Sequence, residues 1–167
     1  VGCFQMDENK KNSEYSMVNK WGKKVSERGF TQIQIYLLNI NRFLTGEFRL
    51  KPTELMVLFH LVSTWWKADE NPFPSMATLA VRCGVSSRQV QRSINKLDSL
   101  GFISRKNRKQ QKMILSNSYS MKPLVLILSA IAEEYPTEYP RKVTKEDKEK
   151  ISSKIEDILN GVEYSEM

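Results

Sequence analysis

Histidine is nearly absent from this chain: His60 is the only one in 167 residues. A multi-histidine metal site or proton relay is therefore excluded. Cys3 and Cys83 stand 80 positions apart and form neither a CxxC pair nor a zinc spacing. A disulfide scaffold is excluded too, and Cys83 is expected as a small core thiol. Long apolar runs are missing. The longest, Leu124 to Ala132, includes Ser129 and falls well short of the roughly 20 residues of a membrane span. Val1 to Lys20 is polar and charged, so no secretory signal is expected. The chain opens on Val1 rather than Met, with Met6 the expected natural start. No GxSxG, HExxH, P-loop or dinucleotide pattern occurs, and Gly22 and Gly29 make no phosphate-binding pattern. The expectation is a soluble, cytoplasmic protein with no membrane contact, no enzymatic activity, no cofactor and no metal. No small-molecule ligand is evident.

What remains is a core-forming composition and an uneven charge. Hydrophobic residues make up 40%, enough to exclude a wholly disordered chain. The net charge is +7, but its placement says more than its size. Residues 81–112 carry nine basic side chains and one acid, Asp98, a surplus of eight that leaves the rest of the chain at −1. A local positive field on a near-neutral body points to a polyanion partner. A solvated charged face is the plainer alternative, and the surrounding pattern has to decide between them.

Residues 1–29 have few apolar anchors and are expected to be flexible. From Phe30 to Leu38, Ile33, Ile35 and Leu37 alternate with Gln32, Gln34 and Tyr36, the period of a strand. A helix over Ile35 to Phe43 competes with it. A helix starts at Pro52, with Leu55, Leu58, Phe59, Val62 and Trp66 as its apolar stripe and His60 off it. Of Trp65 and Trp66, one is expected in the core and the other partly exposed. Lys67 to Pro74 ends that helix. Ser75 caps the next, over 76–82, and Gly84 stops it. Ser86 and Gln89 form a capping box for a third helix, with Val90, Ile94 and Leu97 inward. After Gly101 the period changes. Phe102 to Lys106 reads as a strand, Asn107 to Gln111 as a polar turn, and Lys112 to Ser120 as the return strand. An apolar helix over 124–134 and a charged helix over 145–159 follow. Three segments result: 1–29 flexible, 30–134 a DNA-binding domain, and 135–167 a charged helix and tail.

The order helix, helix, tight turn, helix, β-hairpin is that of a winged helix-turn-helix, mainly α with a small hairpin. With Val90, Ile94 and Leu97 inward, 100° per residue puts Arg88, Arg92 and Asn95 on the far face, flanked by Gln89, Gln91 and Lys96. A helix fits the major groove, where Arg reads guanine and Asn or Gln reads adenine through paired hydrogen bonds. Ser86 and Ser87 open the helix where free N–H groups can meet a phosphate. The hairpin offers Arg105, Lys106, Arg108 and Lys109 to the backbone or minor groove.

The segments PFPSMATLAVRCGVSSRQVQRSINKLDSLGFISRK and SNSYSM resemble the winged helix-turn-helix proteins of bacterial plasmids, phages and other mobile elements. These comprise transcriptional regulators and the DNA-binding halves of replication initiators. The resemblance runs from Phe30 to about Leu128. It implies DNA-facing positions for Arg88, Gln89, Gln91 and Arg92, and a nucleoid- or plasmid-associated location. Double-stranded DNA is the expected partner and transcriptional regulation the first expectation. Replication initiation at origin DNA is the alternative, and a protein-interaction adaptor is the alternative of another class. Five consecutive apolar residues, Leu124 to Leu128, point all round their helix and suggest a homodimer formed there. A fold-back of Ile151, Ile155 and Ile158 onto the same helix would instead leave a monomer.

Overall fold

The computed structural model describes residues 17–110, 113–137 and 142–161. The chain divides into two units, Val1–Gln32 and Ile33–Met167. In the first, α1 (Met17–Trp21) and α2 (Lys23–Ser26) are short helices that bury no residue. The Ser26 hydroxyl donates to the Met17 carbonyl across them. Part of the segment expected to be flexible is thus helical, while residues 1–16 lie outside the described residues.

The second unit opens with α3 (Ile35–Leu38), α4 (Ile40–Phe43) and a 3-10 turn at Gly46–Phe48. The strand expected over residues 30–37 does not form; the helical alternative does. Leu37, Ile40 and Phe43 are all buried, and that spacing of three would be split between the two faces of a strand. Asn41 then pins the following loop through a pair of bonds to Leu50, donating to its carbonyl at 2.7 Å and accepting its N–H at 2.8 Å.

Next comes α5 (Pro52–Ser63). Lys51 has no side-chain oxygen for capping, so the carboxylate of Glu54 takes the Lys51 N–H at 2.6 Å. Val57, Leu58 and Leu61 are the buried residues of its apolar face, with Leu55, Phe59 and Val62 partly buried beside them. The expected stripe is therefore turned about the helix axis, and Trp66 falls beyond the last turn, in solvent. Trp65 packs partly on the core.

Helices α6 (Met76–Cys83) and α7 (Ser87–Ser99) start and stop on local chemistry. The Ser75 hydroxyl accepts the Thr78 N–H, and Gly84 ends α6 at φ 66°, a conformation that favours glycine. Ser86 and Gln89 form the expected reciprocal box. Val90, Ile94 and Leu97 of α7 are fully buried, each contributing about 1.5–3 kcal/mol relative to exposure. Helices α5, α6 and α7 pack on one another.

The hairpin pairs β1 (Ser104–Gln110) with β2 (Met113–Ser120), antiparallel, with a bulge between Lys106 and Arg108. It is longer than expected. Asn107, Arg108 and Lys109 continue β1 rather than forming the turn, and Gln111 and Lys112 lie outside the described residues. The Tyr119 N–H donates to the Pro72 carbonyl at 2.9 Å, which holds the α5–α6 loop against β2.

Two helices complete the core. Leu124, Ile127, Ala130 and Ile131 of α8 (Lys122–Glu134) are buried. Helix α9 (Lys145–Leu159), capped by Thr144 and Asp147, packs back on α8 through Ile151 and Ile155. The capping bonds hold the Asp147 carboxyl below its usual range. The Tyr36 hydroxyl donates to the Tyr135 carbonyl at 2.6 Å, and the Phe43 and Tyr135 rings sit 5.0 Å apart, tying α3 and α4 to the end of α8. At the α7–β1 corner Gly101 adopts φ +76°, and a Cβ there would collide with the Leu159 side chain. The second unit is mainly helical with one two-stranded sheet, an arrangement compatible with a winged helix. No described helix is long and apolar enough to cross a membrane.

If α9 belongs to the core, Ile155→Ala should lower the unfolding free energy by about 2–5 kcal/mol in urea titration. A loss under about 0.5 kcal/mol, the range of a surface change, would detach α9 from it.

Candidate nucleic-acid interface

Because Val90, Ile94 and Leu97 face the core, the remaining side chains of α7 are sorted by the helix period. Ser86, Ser87, Arg88, Gln89, Arg92 and Asn95 are exposed, and Gln91 is half-buried. The structure thus brings most of the residues singled out in α7 onto one solvent face, but it gives them unequal freedom. The Gln89 side chain accepts the Ser86 N–H at 3.0 Å and also meets the Ser86 hydroxyl at 3.1 Å. Its amide oxygen is committed to the cap. The Gln91 amide donates to the Asn95 side-chain oxygen at 2.9 Å, and the Arg105 guanidinium donates to the same oxygen at 3.1 Å. Asn95 is thereby the junction between α7 and the hairpin.

Two of the expected DNA-facing cations are turned inward. The Lys96 ammonium sits 3.4 Å from the Glu54 carboxylate, with side chains 32% and 8% exposed respectively. Glu54, the first-turn carboxylate that the sequence places at the positive end of α5, caps that helix, and the same carboxylate takes the Lys96 charge, a pairing the sequence did not announce. Arg105 is held from three directions. Its N–H donates to Asp98 at 3.2 Å, its Nε lies 3.9 Å from the other Asp98 oxygen, and its guanidinium reaches Asn95. It also stands opposite Tyr119 across the hairpin. Burial pushes the Tyr119 phenol up, and the Arg105 charge opposes that shift. Asp98, the lone acid of the basic segment, therefore fixes the root of the hairpin to the end of α7.

Arg108 lies over the ring of Phe73, 4.2 Å from its centroid. This contact was missed, although the PFPS segment carried a clue: a phenylalanine between two prolines has no helix in which to bury itself. Lys106 and Lys109 are exposed. Among the described residues, Arg88, Arg92, Lys106 and Lys109 take no ion-pair partner. They are the exposed cations of α7 and the hairpin that are left available to a polyanion. Cys83 is half-buried, and burial pushes its thiol up, away from the thiolate a reactive cysteine needs.

A family model described as the DnaD N-terminal domain matches residues 41–138, more than half of the chain. The chain belongs to that family, a replication and DNA-binding domain family of bacteria and mobile elements whose members oligomerise. No individual curated protein matches it.

The inward position of Lys96 has a measurable consequence. Lys96→Ala leaves a buried carboxylate short of its partner and should cost about 1–3 kcal/mol of stability. DNA affinity, measured well below the melting temperature, should change less than for Arg92→Ala. A normal melting curve with a large loss of affinity would place Lys96 on DNA instead.

Proposed function

We propose that this chain binds double-stranded DNA through a winged helix-turn-helix and serves replication initiation on a bacterial plasmid, phage or other mobile element. Helix α7 enters the major groove and β1–β2 is the wing beside it. The observation that carries this reading is the set of unpaired cations on adjoining elements: Arg88 and Arg92 on a capped helix, Lys106 and Lys109 on the hairpin. Arg88 and Arg92 read base edges, with Gln91 and Asn95 behind them. Ser86, Ser87 and the first N–H groups of α7 approach a phosphate. Lys106 and Lys109 contact backbone phosphates. Arg105 and Lys96 act by holding the wing and α7 in place. The protein acts by binding and carries out no chemistry of its own.

Family membership supports origin binding over the regulator and adaptor readings, neither of which gains an observation from the fold. Arg88→Ala or Arg92→Ala should weaken cognate binding by about 1–3 kcal/mol and relax sequence choice. Selection of bound sequences from a random duplex pool, repeated with each variant, measures both effects. Unaltered affinity and preference in both variants would remove α7 from the groove.

The wing gives a different signature. Removing Lys106 and Lys109 together should flatten the slope of log affinity against log salt by about 0.9 per lost contact. Cognate and random duplexes should weaken alike. Loss confined to the cognate site, at constant slope, would make the wing a base reader.

Two copies are proposed to meet on α8. The fold-back of α9 onto this helix, the arrangement expected of a monomer, does form and covers one side of it, yet Val125 and Leu126 remain 45% and 41% exposed. The family's oligomerising habit supports a partner there. In sedimentation equilibrium the mass should be near twice 19.4 kDa and should fall on Leu126→Glu. A mass of one chain at all micromolar concentrations would defeat the dimer.

A further inference from the structure

Two large aromatic side chains stand in solvent on the loop that joins α5 to α6. Trp66 is 83% exposed and Phe73 is 57% exposed. Between them the chain reverses at Lys67–Glu70, closed by the Glu70 N–H to the Lys67 carbonyl at 3.2 Å and by the Lys67–Glu70 ion pair at 2.6 Å. The loop is anchored. Its Pro72 carbonyl is bonded to β2, and Phe73 carries the Arg108 guanidinium of β1 on its ring. The result is a cationic and aromatic pair, Arg108 on Phe73, that forms a ledge beside the hairpin, with exposed Trp66 earlier on the same anchored loop.

We propose that this ledge binds single-stranded DNA by stacking unpaired bases on Phe73–Arg108 and on Trp66. A nucleobase has a flat π-face that matches an exposed ring or a guanidinium plane, whichever base it is. Arg108, with its guanidinium carbon 4.2 Å from the Phe73 centroid, would offer its outer face to a base and its charge to the adjoining phosphate. Lys106, exposed and two residues from Arg108 on the same face of β1, continues the positive path for the backbone. Duplex DNA keeps its bases stacked on each other and has none to offer such a ledge. An apolar protein partner would find Arg108 and Lys106 beside Phe73 and would have to desolvate them. Charge complementarity thus selects a polyanion, and the exposed rings select one with unpaired bases. Trp66, Phe73 and Arg108 have no part in the proposed duplex contact, whereas Lys106 is shared with the wing, so variants of the two rings separate this site from duplex reading by Arg88 and Arg92.

The test is fluorescence anisotropy of the full chain with a labelled oligothymidylate of about 15 nucleotides, beside a duplex of equal length. Phe73→Ala and Trp66→Ala should each weaken the single strand about 5- to 150-fold, the range for loss of one stacked base. Phe73→Leu, which keeps apolar bulk without the π-face, should lose as much as Phe73→Ala. Arg108→Lys keeps the charge and loses the plane, so it should weaken the single strand while leaving the salt slope unchanged. Duplex affinity should move less than about twofold in the Trp66 variant. Arg88→Ala should do the reverse, weakening duplex and sparing oligothymidylate. Three results would overturn the proposal: no binding of oligothymidylate by the unaltered chain, full binding by the Phe73 and Trp66 variants, or equal losses on both DNAs.

Discussion

Burial of the Val90, Ile94 and Leu97 stripe is the constraint on which the rest of the interface depends. It leaves α7 one rotational setting against α5 and α6. A rotation that freed Arg88 and Arg92 less would expose three aliphatic side chains at about 1.5–3 kcal/mol each. The core thus aims the polar face, and the left-handed turn at Gly84 and the cap at Ser86 set where that helix begins. Function enters as what the core leaves outside.

A second set of contacts converts the aimed helix into a composite surface. Asp98 and Asn95 hold Arg105 at the root of the hairpin, and Phe73 holds Arg108 along it. The two arginines tie β1 to different elements, α7 and the α5–α6 loop. The charges used in this way serve geometry, and those left over are the ones the proposed DNA contact would use. The apparent surplus of eight positive charges in this segment is therefore a poor measure of the contacts available to DNA. Lys96 is neutralised by Glu54 and Arg105 by Asp98, while Arg108 is half-buried on a ring.

Much of the architecture was legible because it is written in neighbouring residues. Ser86 and Gln89 are three apart, as a capping box requires, and Gly84 and Gly101 sit where only a left-handed residue continues the chain. The apolar spacing of α7 and the order of elements were legible for the same reason. What was not legible depends on packing and pairing that local spacing does not encode. Alternation at Ile33, Ile35 and Leu37 looks like a strand until Ile40 and Phe43 join Leu37 in the core. Lys96 looks like part of the outward face until Glu54, over forty residues earlier, draws it in. The hairpin tip was placed too early because Asn107 and Arg108 are polar, whereas pairing across a bulge carries β1 to Gln110. Phe73 and Trp66 lie in an irregular loop, where no period predicts exposure.

On the proposed reading, α7 and the hairpin form one DNA-binding surface. Backbone amide shifts of the labelled chain, followed as a selected duplex is added, test it most directly. The perturbed amides should concentrate at residues 86–96 and 104–109, with α8 and α9 little changed. Perturbation centred on α8, or none at saturating duplex, would contradict it.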